Sequence, residues 1–130
     1  MKVLGLDYGR ARTGVAVTDP TGLIVRPLPS ILRIDTPDGQ KKIHQILQSE
    51  SPVCIVVGEP LLMSGKSGAQ VRAVQGFVGR LRAKTDIPVE LIDERLSTAE
   101  ALRHRQEGAV GETDSVAACV LVEAYLARSR

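Results

Sequence analysis

Short apolar runs alternate with longer stretches whose apolar residues recur every three or four positions, so the pattern encodes both strands and helices. The run Val3-Leu4-Gly5-Leu6 and the run Thr13 to Asp19 predict strands over 2–7 and 13–19, joined by a glycine-bearing turn as a hairpin. A third strand is expected near 23–33. It carries Pro27 and Pro29, and proline has no N–H for a ladder, so this strand belongs at an edge or carries a bulge. Thr36-Pro37 predicts a helix start, with Thr36 as cap and Pro37 in the first turn, and Ile43, Ile46 and Leu47 form its apolar face.

Val53-Cys54-Ile55-Val56-Val57 is apolar throughout and ends at Gly58, the pattern of a parallel strand covered on both faces. A polar loop over 59–68 leads to a helix with Val71, Val74, Val78 and Leu81 at helical spacing, and then to a strand over 87–92. Ser97-Thr98-Ala99-Glu100 fits a capping box for a helix ending near Gly108. The last helix begins at Thr113 or Asp114 and carries Val116, Ala117, Val120, Leu121 and Ala124. This order, β-β-β-α-β-α-β-α-α, predicts one α/β domain over 1–130, a mixed five-stranded sheet with helices on both faces.

Composition narrows the core and the chemistry. Aromatics make up only 2% of the 130 residues, so Val, Leu, Ile and Ala must build the core, and base-stacking has only Tyr8, Phe77 and Tyr125 to draw on. The net charge of +2 does not by itself point to nucleic acid. Its distribution is more informative, because Arg10 and Arg12 flank the first acidic position and Arg95, Arg103 and Arg105 follow a later one. Cys54 and Cys119 lack metal-site spacing and read as small buried hydrophobes in a reducing compartment. No apolar stretch approaches the ~20 residues of a membrane helix and no signal peptide is present, so a cytoplasmic protein without membrane contact is expected.

The acidic residues carry the chemistry. Asp7 closes the first strand beside Tyr8-Gly9-Arg10, Glu59 and Asp93-Glu94 close two later strands, and Asp114 opens the last helix. Ligands of open α/β sheets bind at the carboxyl ends of strands. Carboxylates converging there would repel one another unless a cation lay between them, and Mg²⁺ takes one or two carboxylates per ion while leaving room for water and phosphate oxygens. Two such ions about 4 Å apart can activate water and stabilise the leaving oxygen of a phosphodiester. Each acid also has an ordinary alternative: Asp7 as a turn cap, Asp114 as a helix-start acid, Glu94 as an ion-pair partner of Arg95 or Arg10, and Glu59 as a solvent-facing loop residue.

Four stretches resemble one family. Leu4-Gly5-Leu6-Asp7-Tyr8-Gly9 with Arg12-Thr13-Gly14-Val15-Ala16, Val56-Val57-Gly58-Glu59-Pro60-Leu61 with Met63 and Gly65, Asp93 to Ala101, and Asp114-Ser115 with Ala117-Ala118 and Tyr125-Leu126 are similar to the motifs of the YqgF family. Its members are the Holliday-junction-resolvase-like proteins, also described as pre-16S ribosomal RNA nucleases. The resemblance implies a ribonuclease H-like fold and a site for Mg²⁺ or Mn²⁺ (two ions), with Asp7, Glu94 and Asp114 as the acidic triad. It also implies trimming of the 5′ end of the small-subunit RNA precursor in ribosome biogenesis, with resolution of branched DNA as the older proposal for the family. Glu59 stands where the family more often has Leu, and Ser64 where Asp or Asn is commoner. Glu59 is thus either a fourth metal ligand or a local polar variation. No Lys or Arg lies between Arg105 and Asp114, which puts a phosphate clamp from that loop in doubt.

On this reading Arg10, Arg12 and Arg95 neutralise substrate phosphates. Two other classes remain in view: a non-catalytic ribosome-assembly factor, and an ATP-binding domain of the actin class, which needs a second domain to enclose its nucleotide. A monomer and a homodimer are both compatible with the chain.

Overall fold

The computed structural model describes residues 1–59, 68–93 and 113–128. Five strands form one sheet: β1 (Val3–Asp7), β2 (Arg12–Thr18), β3 (Val25–Leu32), β4 (Cys54–Glu59) and β5 (Val89–Asp93), in the order β3-β2-β1-β4-β5. The first three strands run antiparallel, and β4 and β5 add in parallel beside β1. A two-stranded hairpin needs only a tight turn, whereas parallel neighbours need a crossover, supplied by helices α1 (Pro37–Glu50) and α2 (Gly68–Lys84). The third helix described, α3, spans Thr113–Arg128.

Strand alternation divides the core in two. Leu4, Leu6, Val15, Val17, Ile55 and Val57 point to one face, where Ile43 and Leu47 of α1 and Val74, Phe77, Val78 and Leu81 of α2 cover them. Val3, Ala16, Cys54 and Val56 point to the other, under Ala118, Cys119, Leu121 and Val122 of α3. The sheet is therefore mixed and covered on both faces, as the pattern predicts. Val74, Val78 and Leu81, three of the four residues that the spacing picks out, form the α2 core face together with Phe77, and Val71 is only half-buried.

The caps and edges follow local chemistry. Thr36 is extended (φ −85°, ψ 163°) and its hydroxyl accepts the Gly39 N–H, so α1 starts where the sequence places it. β3, with Pro27 and Pro29, is an edge strand, and it also has a register shift opposite Thr13 and Val15. Both free cysteines are buried, and burial, then Glu123, pushes the Cys119 thiol up to about 12, so it stays protonated and apolar in character. The capping box over 97–100, the helix it starts and the 60–67 part of the polar loop lie outside the described residues.

Candidate active site

Asp7 is the last residue of β1, half-buried, and faces Gly14 of β2 in the register. It shares its side of the strand with Val3 and Gly5, the side covered by α3. Beyond it the chain turns at Gly9, where an added Cβ would lie 2.3 Å from the Arg12 carbonyl oxygen, so the turn closes only around glycine. The buried Thr13 hydroxyl donates to the Gly9 carbonyl at 3.2 Å, tying the tip to β2. The tip thus presents Arg10 and Arg12, both exposed, beside Asp7.

On the opposite side of the strand Tyr8 anchors the same rim. Its ring stacks on Phe77, centroids 4.5 Å apart, and its hydroxyl donates to Asp35 Oδ2 at 2.5 Å. Arg80 Nη2 binds the other Asp35 oxygen at 3.0 Å. Partial burial, then the Asp35 carboxylate, raises the Tyr8 pKa, so Tyr8 stays a protonated donor. Asp35 as this hub was not legible in the sequence, where it is only a residue ahead of a helix cap. Its partners lie 27 and 45 residues away, and no local pattern links them.

The first turn of α3 is tied to the β2–β3 ladder near the same rim by Ser115. The register shift in the β2–β3 ladder leaves the Val15 N–H and the Leu28 carbonyl, which face each other, to find a partner. Ser115 inserts there: its hydroxyl accepts the Val15 N–H at 3.3 Å and donates to the Leu28 carbonyl at 2.7 Å. Val15 is one residue from Gly14, the partner of Asp7. The first turn of α3, with Asp114 in the position before Ser115, therefore starts over the part of β2 that faces Asp7. Farther along, α3 lies so close to β1 that a Cβ on Gly5 would sit 2.2 Å from Val122 Cγ2 and 3.2 Å from the Ala118 carbonyl.

The remaining acids close the row. β4 and β5 pair so that Glu59 lies opposite Asp93, one residue beyond the Gly58–Ile92 pair. Leu6 pairs with Val57, so Asp7, Glu59 and Asp93 all end adjacent strands at one rim. Glu94 and Arg95 follow directly in the chain and lie outside the described residues. Among the described residues no cluster of three or more His, Cys, Asp or Glu side chains is assembled to hold a metal. The acids that the backbone gathers at this rim are oxygen donors only, and both thiols are buried. That donor set suits hard cations such as Mg²⁺ or Mn²⁺ and not zinc or copper.

Comparison with known proteins extends this picture over the whole chain. A family model described as RuvX, Holliday junction resolvase, matches residues 1–128. A protein of Roseiflexus sp. named "Putative pre-16S rRNA nuclease" is 36% identical over 99% of this chain and 96% of its own length. One of the same name from Oleidesulfovibrio alaskensis is 37% identical over 97% and 92%. Among solved structures, Thermus thermophilus RuvC in complex with a Holliday junction substrate superimposes with a TM-score of 0.62 at 20% identity, covering 99% of this chain and 96% of that one. The fowlpox virus resolvase in complex with Holliday junction DNA gives 0.59 at 12% identity. These likenesses place the sheet in the ribonuclease H-like class.

Proposed function

Because the chain belongs to the RuvX family, the YqgF family of its motifs, we infer that it is a divalent-metal-dependent nuclease hydrolysing nucleic-acid phosphodiesters, with residues 1–130 as one nuclease domain. The substrate favoured is the 5′ end of precursor 16S ribosomal RNA, after the name carried by its relatives at 36% and 37% identity, and the compartment is the cytoplasm. The observation that carries the reading is the Ser115 bridge, which brings the first turn of α3 to the strand that faces Asp7. In this reading Asp7 and Asp114, from opposite ends of the sequence, share that rim.

In this reading Asp7, Glu94 and Asp114 hold the cations. Mg²⁺ or Mn²⁺, two ions in the full site, supplies an acidified water and compensates charge on the phosphate when bound. The chain's own contribution is positional. Asp7 is held by a strand flanked on both sides, and its neighbour Tyr8 by the Phe77 stack and Asp35, so the carboxylate need not reorganise when substrate arrives. Arg10, Arg12 and Arg95 counter the charge of flanking substrate phosphates. Among the described residues no helix is long and apolar enough to cross a membrane.

The description of the family as Holliday junction resolvases supports a second reading, cleavage of branched DNA, which calls for two active sites and hence a homodimer. Matched precursor-RNA and four-way-junction substrates, each incubated with Mg²⁺ and with chelator, separate the two. Chelator-sensitive cleavage of the RNA at its 5′ side is expected. Cleavage confined to the junction by a dimer would favour the second reading, and no metal-dependent cleavage of either would replace both with a non-catalytic assembly role.

A further inference from the structure

A cavity of about 370 Å³ opens behind the β1–β2 tip, lined by Arg10, Ala11, Arg33, Asp35 and Thr36. We propose that it is a second phosphate subsite, taking a backbone phosphate of the nucleic acid outside the scissile position. The proposal rests on the nuclease reading for the nature of the polymer, and on the cavity alone for the binding.

Charge and its compensation decide what the cavity can hold. The one carboxylate among its described lining residues, Asp35, already accepts from Tyr8 on one oxygen and pairs with Arg80 on the other. Arg10 and Arg33 take part in none of the ion pairs found among the described residues. Two guanidinium groups at one opening, against an acid already satisfied, leave a net positive site. Phosphate is the group that matches forked N–H donors with a compact anion. The volume lies at the low end of the roughly 300–1,000 Å³ of small-ligand pockets. That is room for a phosphate and part of its sugar.

The wall is built and not merely adjacent. Arg33 takes a left-handed conformation (φ 47°), its N–H donates to the Ala11 carbonyl at 3.0 Å, and its carbonyl accepts from the Thr36 N–H at 3.0 Å and the Thr36 hydroxyl at 2.7 Å. A Cβ on Gly39 would lie 2.4 Å from that same carbonyl, so α1 presses directly on the turn. The turn thus locks Arg33 to the hairpin tip that carries Arg10, three residues after Asp7 at the end of β1. A strand of nucleic acid crossing the tip with one phosphate at the acidic rim would present a neighbouring phosphate to this cavity.

The test reads binding, not cleavage, in metal-free buffer with the full chain and a fluorescein-labelled single-stranded RNA oligonucleotide. Arg33→Asn removes the guanidinium while keeping a residue that tolerates positive φ, and Arg10→Gln does so at the tip. Each is expected to flatten the slope of log affinity against log salt by roughly 0.7, one phosphate contact on a single strand. Arg26→Gln serves as the control, because Arg26 pairs with Val17 toward the opposite end of the sheet and binds Glu50. Wild-type slopes in both cavity variants, or equal flattening in Arg26→Gln, would overturn the subsite. Flattened slopes in a protein that never cleaves RNA or DNA would uphold the subsite while removing the nuclease reading, and cleavage with unchanged slopes would do the reverse.

Discussion

The Ser115 hydroxyl and the Val15 N–H meet at 3.3 Å across one hundred residues of chain, and this contact sets where the first turn of α3 lies relative to Asp7. Ser115 is completely buried, so its loss strands the Val15 donor and the Leu28 acceptor away from water. Ser115→Ala is expected to cost about 1–3 kcal/mol, the penalty for an unsatisfied buried group. Thermal unfolding should show it as a fall of several degrees. The same variant should lose kcat more than it changes KM, because Asp114 keeps its charge and loses its fastening. A variant that melts like wild type and turns over normally would show that α3 is positioned by packing alone.

Asp7→Asn keeps the size of the side chain and one acceptor oxygen, and removes the charge that a cation needs. Cleavage should fall by at least roughly a hundredfold, since metal chemistry is worth several kcal/mol at 1.36 kcal/mol per tenfold. The melting midpoint should stay near wild type and RNA binding should persist. Measurable Mg²⁺-dependent turnover in this variant would dismiss Asp7 as a ligand.

Gly5 lets β1 and α3 approach closely. Gly5→Ala drives a methyl to within 2.2 Å of Val122 Cγ2, and overpacking of this kind costs about 1–3 kcal/mol. Val122→Ala removes the clashing carbon. The double variant should therefore lose less stability than the two single changes added together, by denaturant titration. Strict additivity would mean that the helix shifts freely over the strand.

Asp19 organises the exposed turn between β2 and β3. Its carboxylate accepts from the Thr21 hydroxyl at 2.6 Å and from the Leu23 and Ile24 N–H groups at 3.1 and 3.0 Å. These bonds, Thr21's first, hold its pKa down at about 2, below the roughly 3.9 of an unfolded chain. A depressed carboxylate contributes stability above the unfolded value and loses it as pH falls through the folded one. The melting difference between wild type and Asp19→Ala should accordingly be widest above about pH 4 and shrink toward pH 2. A difference independent of pH over that window would assign the turn's stability to something other than the ionised carboxylate.

Local patterns were sufficient for the described elements. The apolar run through Val57, the prolines of β3 and the Thr36-Pro37 cap each carry a local physical signature, and each element stands within a few residues of its expected bounds. Asp7 was legible for the same reason, as an acid at the end of a buried strand beside a glycine turn. The roles of Ser115, Arg33, Asp35 and Arg80 were not. Each depends on a partner 22 to 100 residues away, and sequence patterns see only neighbours.

By itself the sequence determined which segments become strands and helices, because burial period, proline and capping chemistry act over a few residues. It also determined which acids end strands or open a helix. Only the tertiary structure decided that a break in the β2–β3 ladder is repaired by a hydroxyl of α3, and that a left-handed turn at Arg33 encloses a cavity behind the hairpin tip. Those outcomes depend on how unsatisfied backbone groups and charges find partners once distant elements pack, and no local pattern contains that information.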